Sequence, residues 1–168
     1  MIKINKNQIS LSGEFAVLSK LSFLGFDASL TLGNTKGVDI LVLNPGTEKM
    51  FRVEVKTSFK TGNYIKKSKD WGPCIEWILG QNVENNNSKD LFYIFVILDE
   101  KQNQRFFVIP SKIVSEYCKQ EHLHWLSGGE KRKTSGMRTF RLGVDSNFKY
   151  TLETALVADY ENRWDLLK

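Results

Sequence analysis

At 168 residues, 41% of them hydrophobic and 26% charged, the chain has the make-up of one soluble domain, taken here as residues 1–168, with enough apolar residues to bury a real core. Twenty-four Lys and Arg against nineteen Asp and Glu leave a formal charge of +5, which favours a polyanionic partner. Two cysteines in no paired spacing, Cys74 and Cys118, argue against a disulfide framework or a four-cysteine zinc site, and no apolar run has the length of a secretory signal or a bilayer span, so a cytoplasmic protein with no membrane partner is expected.

After a polar leader, residues 12–26 place Val17, Leu18, Leu21 and Leu24 at steps of three and four, which predicts an amphipathic helix ended near Gly25. Three extended stretches follow, 27–32, 38–43 and 51–56, divided by Gly33-Asn34 with Gly37 and by Asn44-Pro45-Gly46, the pattern of an antiparallel meander. Residues 57–90 turn polar apart from Trp71 and the patch at 75–79, and read as a loop leading into a short helix. The run 91–98 is almost uninterruptedly apolar and aromatic, as in a strand covered on both faces, with 105–109 as its neighbour. Ser111 begins a helix to about Gln120, residues 121–136 form an exposed basic excursion, 139–142 a last short strand and 150–167 a closing helix.

Chemistry concentrates in Phe51-Arg-Val-Glu-Val-Lys56. Side chains alternate across a strand, so Glu54 and Lys56 share one face while Val53 and Val55 take the other. An acid and a base in a strand otherwise suited to a core are costly, and such a cost has a functional or pairing reason. Asp39 repeats the anomaly within Val38-Asp39-Ile40-Leu41-Val42-Leu43, and the short turn between the two stretches makes them neighbours, so two carboxylates can converge. Hard oxygen ligands suit Mg2+, which takes one or two protein carboxylates and completes its shell with water and substrate phosphate. Glu14 lies three, four and seven residues before Val17, Leu18 and Leu21, on the buried stripe of its helix, although an acid in a first helical turn is also favoured by the helix dipole alone.

Gly13-Glu14, Gly37-Val38-Asp39-Ile40 and Val53-Glu54-Val55-Lys56-Thr57 together resemble the PD-(D/E)XK nuclease superfamily, the restriction-endonuclease-like fold, and especially its branch similar to archaeal Holliday-junction resolvases. The resemblance covers about the first sixty residues, and more loosely the strand at 91–98; Val38 stands where the family name has proline, at a position whose side chain does no chemistry. It implies an α/β fold with an αβββαβ core, a mixed central sheet flanked by helices. It further implies that Asp39, Glu54 and the main-chain carbonyl of Val55 bind Mg2+, with Mn2+ able to substitute. Lys56 would orient or activate the attacking water, and Glu14 would extend the metal shell. The activity implied is that of an endonuclease acting on DNA as a homodimer; a nuclease acting on RNA, or a binding or interaction module of the same fold that does not cut, are the alternatives.

Basic residues supply a candidate phosphate-binding surface: Lys131, Arg132 and Lys133 with Arg138 and Arg141 following, Lys66, Lys67 and Lys69 leading into Trp71, which can stack on a base, and Lys36 near Asp39. Cys118, His122 and His124 invite a zinc reading but lack a fourth ligand and the usual spacing. Neither Ser12-Gly13 nor Gly128-Gly129 carries the lysine and hydroxyl pattern of a nucleotide loop, so ATP use is not expected.

Overall fold

Asn5 starts the first helix. Its side chain accepts the Gln8 amide N–H and the Gln8 side chain accepts the Asn5 N–H, each at 2.9 Å, a reciprocal capping box that satisfies two donors of the first turn. The helix α1 therefore covers Lys6–Phe23, beginning at Lys6 rather than at Ser12; its first two turns bury nothing, and the apolar stripe does not mark them. Gly25, at φ 85°, ends it as expected: Phe26 N–H reaches the Leu21 carbonyl and Gly25 N–H that of Ser22, both at 3.1 Å, the paired bonds of a Schellman terminus.

The computed structural model describes residues 4–31, 37–68, 71–129 and 132–168. They divide into two compact units, the first comprising Met1–Gly62, Asp90–Ile109 and Glu161–Lys168, the second Asn63–Lys89 and Pro110–Tyr160.

Unit 1 is an α/β assembly built on a five-stranded mixed sheet. The strands β1 (Asp27–Leu30), β2 (Ile40–Asn44) and β3 (Lys49–Lys60) form the expected antiparallel meander. The turn between β2 and β3 is fixed by Asn44, whose Oδ1 accepts the Gly46 N–H at 2.9 Å and whose carbonyl accepts the Thr47 N–H at 3.2 Å. Next come β6 (Leu91–Asp99), parallel to β3, and β7 (Gln104–Pro110) beyond it. Residues 91–97 of β6 are buried without alternation, the mark of a strand covered on both faces. Val17 and Leu21 of α1 pack on Ile40, Val42, Val53, Val55, Ile94 and Val96, and Trp164 and Leu167 complete the same core.

Unit 2 carries β4 (Lys66–Ser68), β5 (Gly72–Gly80) and β8 (Met137–Gly143) in an antiparallel sheet, with the helix α2 (Ser111–Ser127). Three sequence expectations change here. The stretch after β3 is not a loop leading into a helix: Ile75, Trp77 and Leu79 are buried while Glu76 and Ile78 are more open, a period of two that makes a strand. A 3-10 turn, Gln81–Asn85, follows that strand. The excursion expected from residue 121 starts later, because α2 continues to Ser127 and buries Glu121 and His122; residues 132–136 are exposed, as expected. The closing helix is reduced to the single turn α3 (Val157–Tyr160) and a 3-10 turn, Trp164–Leu167. Leu156 bridges to Gly143 in unit 2, whereas Trp164 and Leu167 belong to the core of unit 1.

Candidate active site

Asp39 sits just before β2, where its backbone is held from two sides. Its N–H donates to the Val53 carbonyl at 2.8 Å, and its carbonyl accepts the Thr31 N–H at 2.9 Å. Its side chain then reaches across to β3, Oδ2 accepting the Val55 N–H at 2.7 Å. This bond ties the carboxylate to the residue between Glu54 and Lys56.

On β3 the alternation holds: Val53 and Val55 lie in the core with α1, and Glu54 and Lys56 occupy the other face. Lys56 Nζ lies 2.7 Å from Glu54 Oε1, and the Glu54 side chain is 12% exposed against 34% for Lys56. The second carboxylate oxygen, Glu54 Oε2, is buried and has no hydrogen-bond partner among the described residues. Burial pushes the Asp39 carboxyl above its ordinary range; the Val55 N–H and the Lys56 ammonium pull it down, and the Glu54 carboxylate pushes it up again.

The donor set suits a hard divalent cation. Asp39, Glu54 and the Val55 carbonyl offer oxygen only, and a buried carboxylate oxygen without a donor is a group that a cation would satisfy. Among the described residues no group of three or more His, Cys, Asp and Glu side chains is placed to hold a metal ion, so Glu14 does not join Asp39 and Glu54 in one cluster. The same absence removes the zinc reading of Cys118, His122 and His124: burial pushes the Cys118 thiol up to about 12, and its Sγ faces the Thr139 carbonyl at 3.8 Å. Glu14 is half-buried on α1 and accepts a hydrogen bond from Ser10 Oγ at 3.3 Å.

The basic residues expected on a binding surface divide. Lys67 and Lys133 are exposed, and Lys66 is ion-paired to Glu76. Arg132 is exposed but lies over the Trp125 ring, 5.4 Å from its centroid, and donates to the Trp125 carbonyl at 2.6 Å. Arg138 is corrected outright: it is 5% exposed, pairs with Glu84 and donates to the carbonyls of Ser135 at 2.7 Å and Met137 at 2.8 Å, so it holds unit 2 together and presents nothing to a phosphate. Arg141 is likewise buried, bonded to Glu121 at 2.7 Å and stacked 4.2 Å from the centroid of Trp71, which meets His124 edge to face. Arg138 and Arg141 lie three residues apart in the strand Met-Arg-Thr-Phe-Arg-Leu-Gly and so face opposite sides of β8, and alternation alone gave no signal that both are buried. Lys36, Lys69 and Lys131 lie outside the described residues.

No family model matches the chain, and no curated protein matches it. Among solved structures a bacterial homing endonuclease is similar, with a TM-score of 0.51 over 98% of this chain and 93% of that one. The two share a fold. Their sequences are 13% identical, so the likeness speaks to architecture, and the chemistry rests on the residues above. Among the described residues no helix is long and apolar enough to cross a membrane.

Proposed function

We propose that the chain is a metal-dependent endonuclease that hydrolyses DNA phosphodiesters, with Mg2+ or Mn2+ bound by Asp39, Glu54 and the main-chain carbonyl of Val55. One observation carries the reading: Glu54 keeps a buried, partnerless carboxylate oxygen on the same strand face as Lys56, while Asp39 is bonded to the residue between them. When bound, the cation supplies Lewis acidity, a more acidic water and charge to oppose that of the transition state. The chain contributes the rest. The Val55 N–H fixes the direction of the Asp39 carboxylate, and Glu54 Oε1 holds the Lys56 ammonium close to where an attacking water and a phosphate would meet.

The fold shared with a homing endonuclease favours DNA over RNA as substrate. Cleavage of both strands needs two sites, which points to a homodimer, to be read by sedimentation. The test is incubation of plasmid DNA and a matched RNA with Mg2+, Mn2+ or EDTA. Metal-dependent nicking of DNA, lost in Asp39→Ala, Glu54→Ala and Lys56→Ala, is expected. Nicking that survives these changes would sink the site, faster cleavage of RNA would change the substrate, and salt-sensitive DNA binding without turnover under any ion would leave a binding module.

A further inference from the structure

We infer that Arg52 grips a phosphate beside the one that is cut, through the guanidinium edge that Asp90 leaves open; the inference rests on the endonuclease reading proposed above.

The strand itself places Arg52. Side chains alternate along β3, with Phe51, Val53 and Val55 buried, so Arg52 projects from the face that carries Glu54 and Lys56. One strand repeat of two residues sets it about 7 Å from Glu54. That step assigns it to a neighbouring phosphate of the same nucleic-acid strand and not to the one under attack. Its side chain is 41% exposed against 12% for Glu54, so a large anion can reach it.

Asp90 fixes how the guanidinium points. Arg52 Nε donates to Asp90 Oδ2 at 2.7 Å and Nη2 to Oδ1 at 2.9 Å, while the Arg52 main-chain N–H donates to the Asp90 carbonyl at 2.8 Å. The two side-chain bonds occupy one edge of a planar group that carries five N–H donors. Nη1 has no partner among the described residues, so the outer edge, made by Nη1 and the second N–H of Nη2, stays open. That edge is a fork of the kind that meets two phosphate oxygens at once. Asp90 has already ordered the long side chain, so a phosphate binds without much further loss of rotamer freedom. As a device for stability alone, a pair this exposed contributes little.

The experiment measures DNA binding in EDTA by fluorescence anisotropy, Mn2+ affinity from the free-ion paramagnetic signal, and cleavage with Mg2+ or Mn2+. The proteins are wild type, Arg52→Ala, Arg52→Lys, Asp90→Ala and Arg52→Ala/Asp90→Ala. Arg52→Ala is expected to weaken DNA binding about tenfold or more, as loss of charge-assisted hydrogen bonds does, and to leave Mn2+ affinity unchanged. Arg52→Ala/Asp90→Ala has the net charge of the wild type and should stay as weak, because the fork is missing. Arg52→Lys keeps the charge without the fork and should recover only part of the affinity. Asp90→Ala retains the arginine, sheds an anion and should bind at least as tightly as wild type. Wild-type binding by Arg52→Ala or by the double variant would overturn the inference, as would an Asp90→Ala protein that loses as much as Arg52→Ala. If the alanine variants do not fold, Arg52→Lys decides, and full affinity there refutes the fork. A wild type that binds DNA and cuts nothing with either ion removes the endonuclease reading and this inference with it, whereas a wild type that cuts, matched in binding by Arg52→Ala, removes the inference alone.

Discussion

Lys56→Met separates the structural from the chemical use of the lysine. In the metal-free protein the Glu54 carboxylate is paired, among the described residues, with Lys56 at 2.7 Å, and it is 12% exposed, so removing the ammonium leaves a largely buried anion with an oxygen that already lacks a described donor. Exposed ion pairs contribute about 0.2–1 kcal/mol and breaking a fully buried one costs about 3–5 kcal/mol. With Lys56 one-third open to solvent, the expected loss falls between these, about 1–3 kcal/mol at pH 7. In a chain of this length each kcal/mol lowers the Tm by about 2–4 °C. Urea unfolding in EDTA, followed by tryptophan fluorescence, reads the loss at pH 7. Glu54→Gln/Lys56→Met should recover most of the stability while remaining inactive. A Lys56→Met protein as stable as wild type, or a double variant destabilised by the sum of the two single changes, would show that the pair does not act as described.

Burial holds the Asp39 carboxyl above its unfolded range, so the folded chain keeps that proton to higher pH than the unfolded chain does; stability from this group is full at low pH and lost as pH rises through the folded value. Asp39→Asn should therefore flatten the urea midpoint between pH 4 and 7 in EDTA and stabilise the metal-free protein at neutral pH, and a steeper profile would contradict it. Arg138→Ala strands Glu84 and uncaps two carbonyls, for an expected loss of about 3–5 kcal/mol, read by thermal unfolding; unchanged stability with weaker DNA binding would return Arg138 to the surface. Lys67→Ala and Lys133→Ala should leave stability within about 0.5 kcal/mol and lower the salt slope of DNA binding by about one for each phosphate contact removed. Cys118, whose thiol burial lifts to about 12, should resist iodoacetamide at pH 8 in the folded protein and react only after denaturation.

How far the fold could be read ahead of the structure depended on local chemistry. The β1–β2–β3 meander was legible because Asn44-Pro45-Gly46 announces a turn and the apolar residues on either side alternate. The alternation in β3 likewise assigned Glu54 and Lys56 to one face, where the structure has them. The start of α1 lay in Asn5 and Gln8, a capping signal hidden by a polar leader. Residues 75–79 could not be assigned from pattern alone, since a short apolar patch fits a helix turn or a strand until its partner, β8, is known. The Arg138–Glu84 pair spans 54 residues and the Thr57–Gly13 contact joins a strand to a helix; separations of that kind leave no periodic trace.

The two faces of β3 also constrain how this site can change. Val53, Val55, Glu54 and Lys56 are placed solely by counting in twos, so a single-residue insertion or deletion between Arg52 and Lys56 would exchange the two sets, driving charge into the core beneath α1 and valines into the site. Point substitutions can grade the chemistry, whereas a shift of one residue removes fold and site together. Sequence drift along this strand is thus confined to replacements in register, and libraries aimed at altering the activity should vary identity at fixed length here and reserve changes of length for the turns at either end.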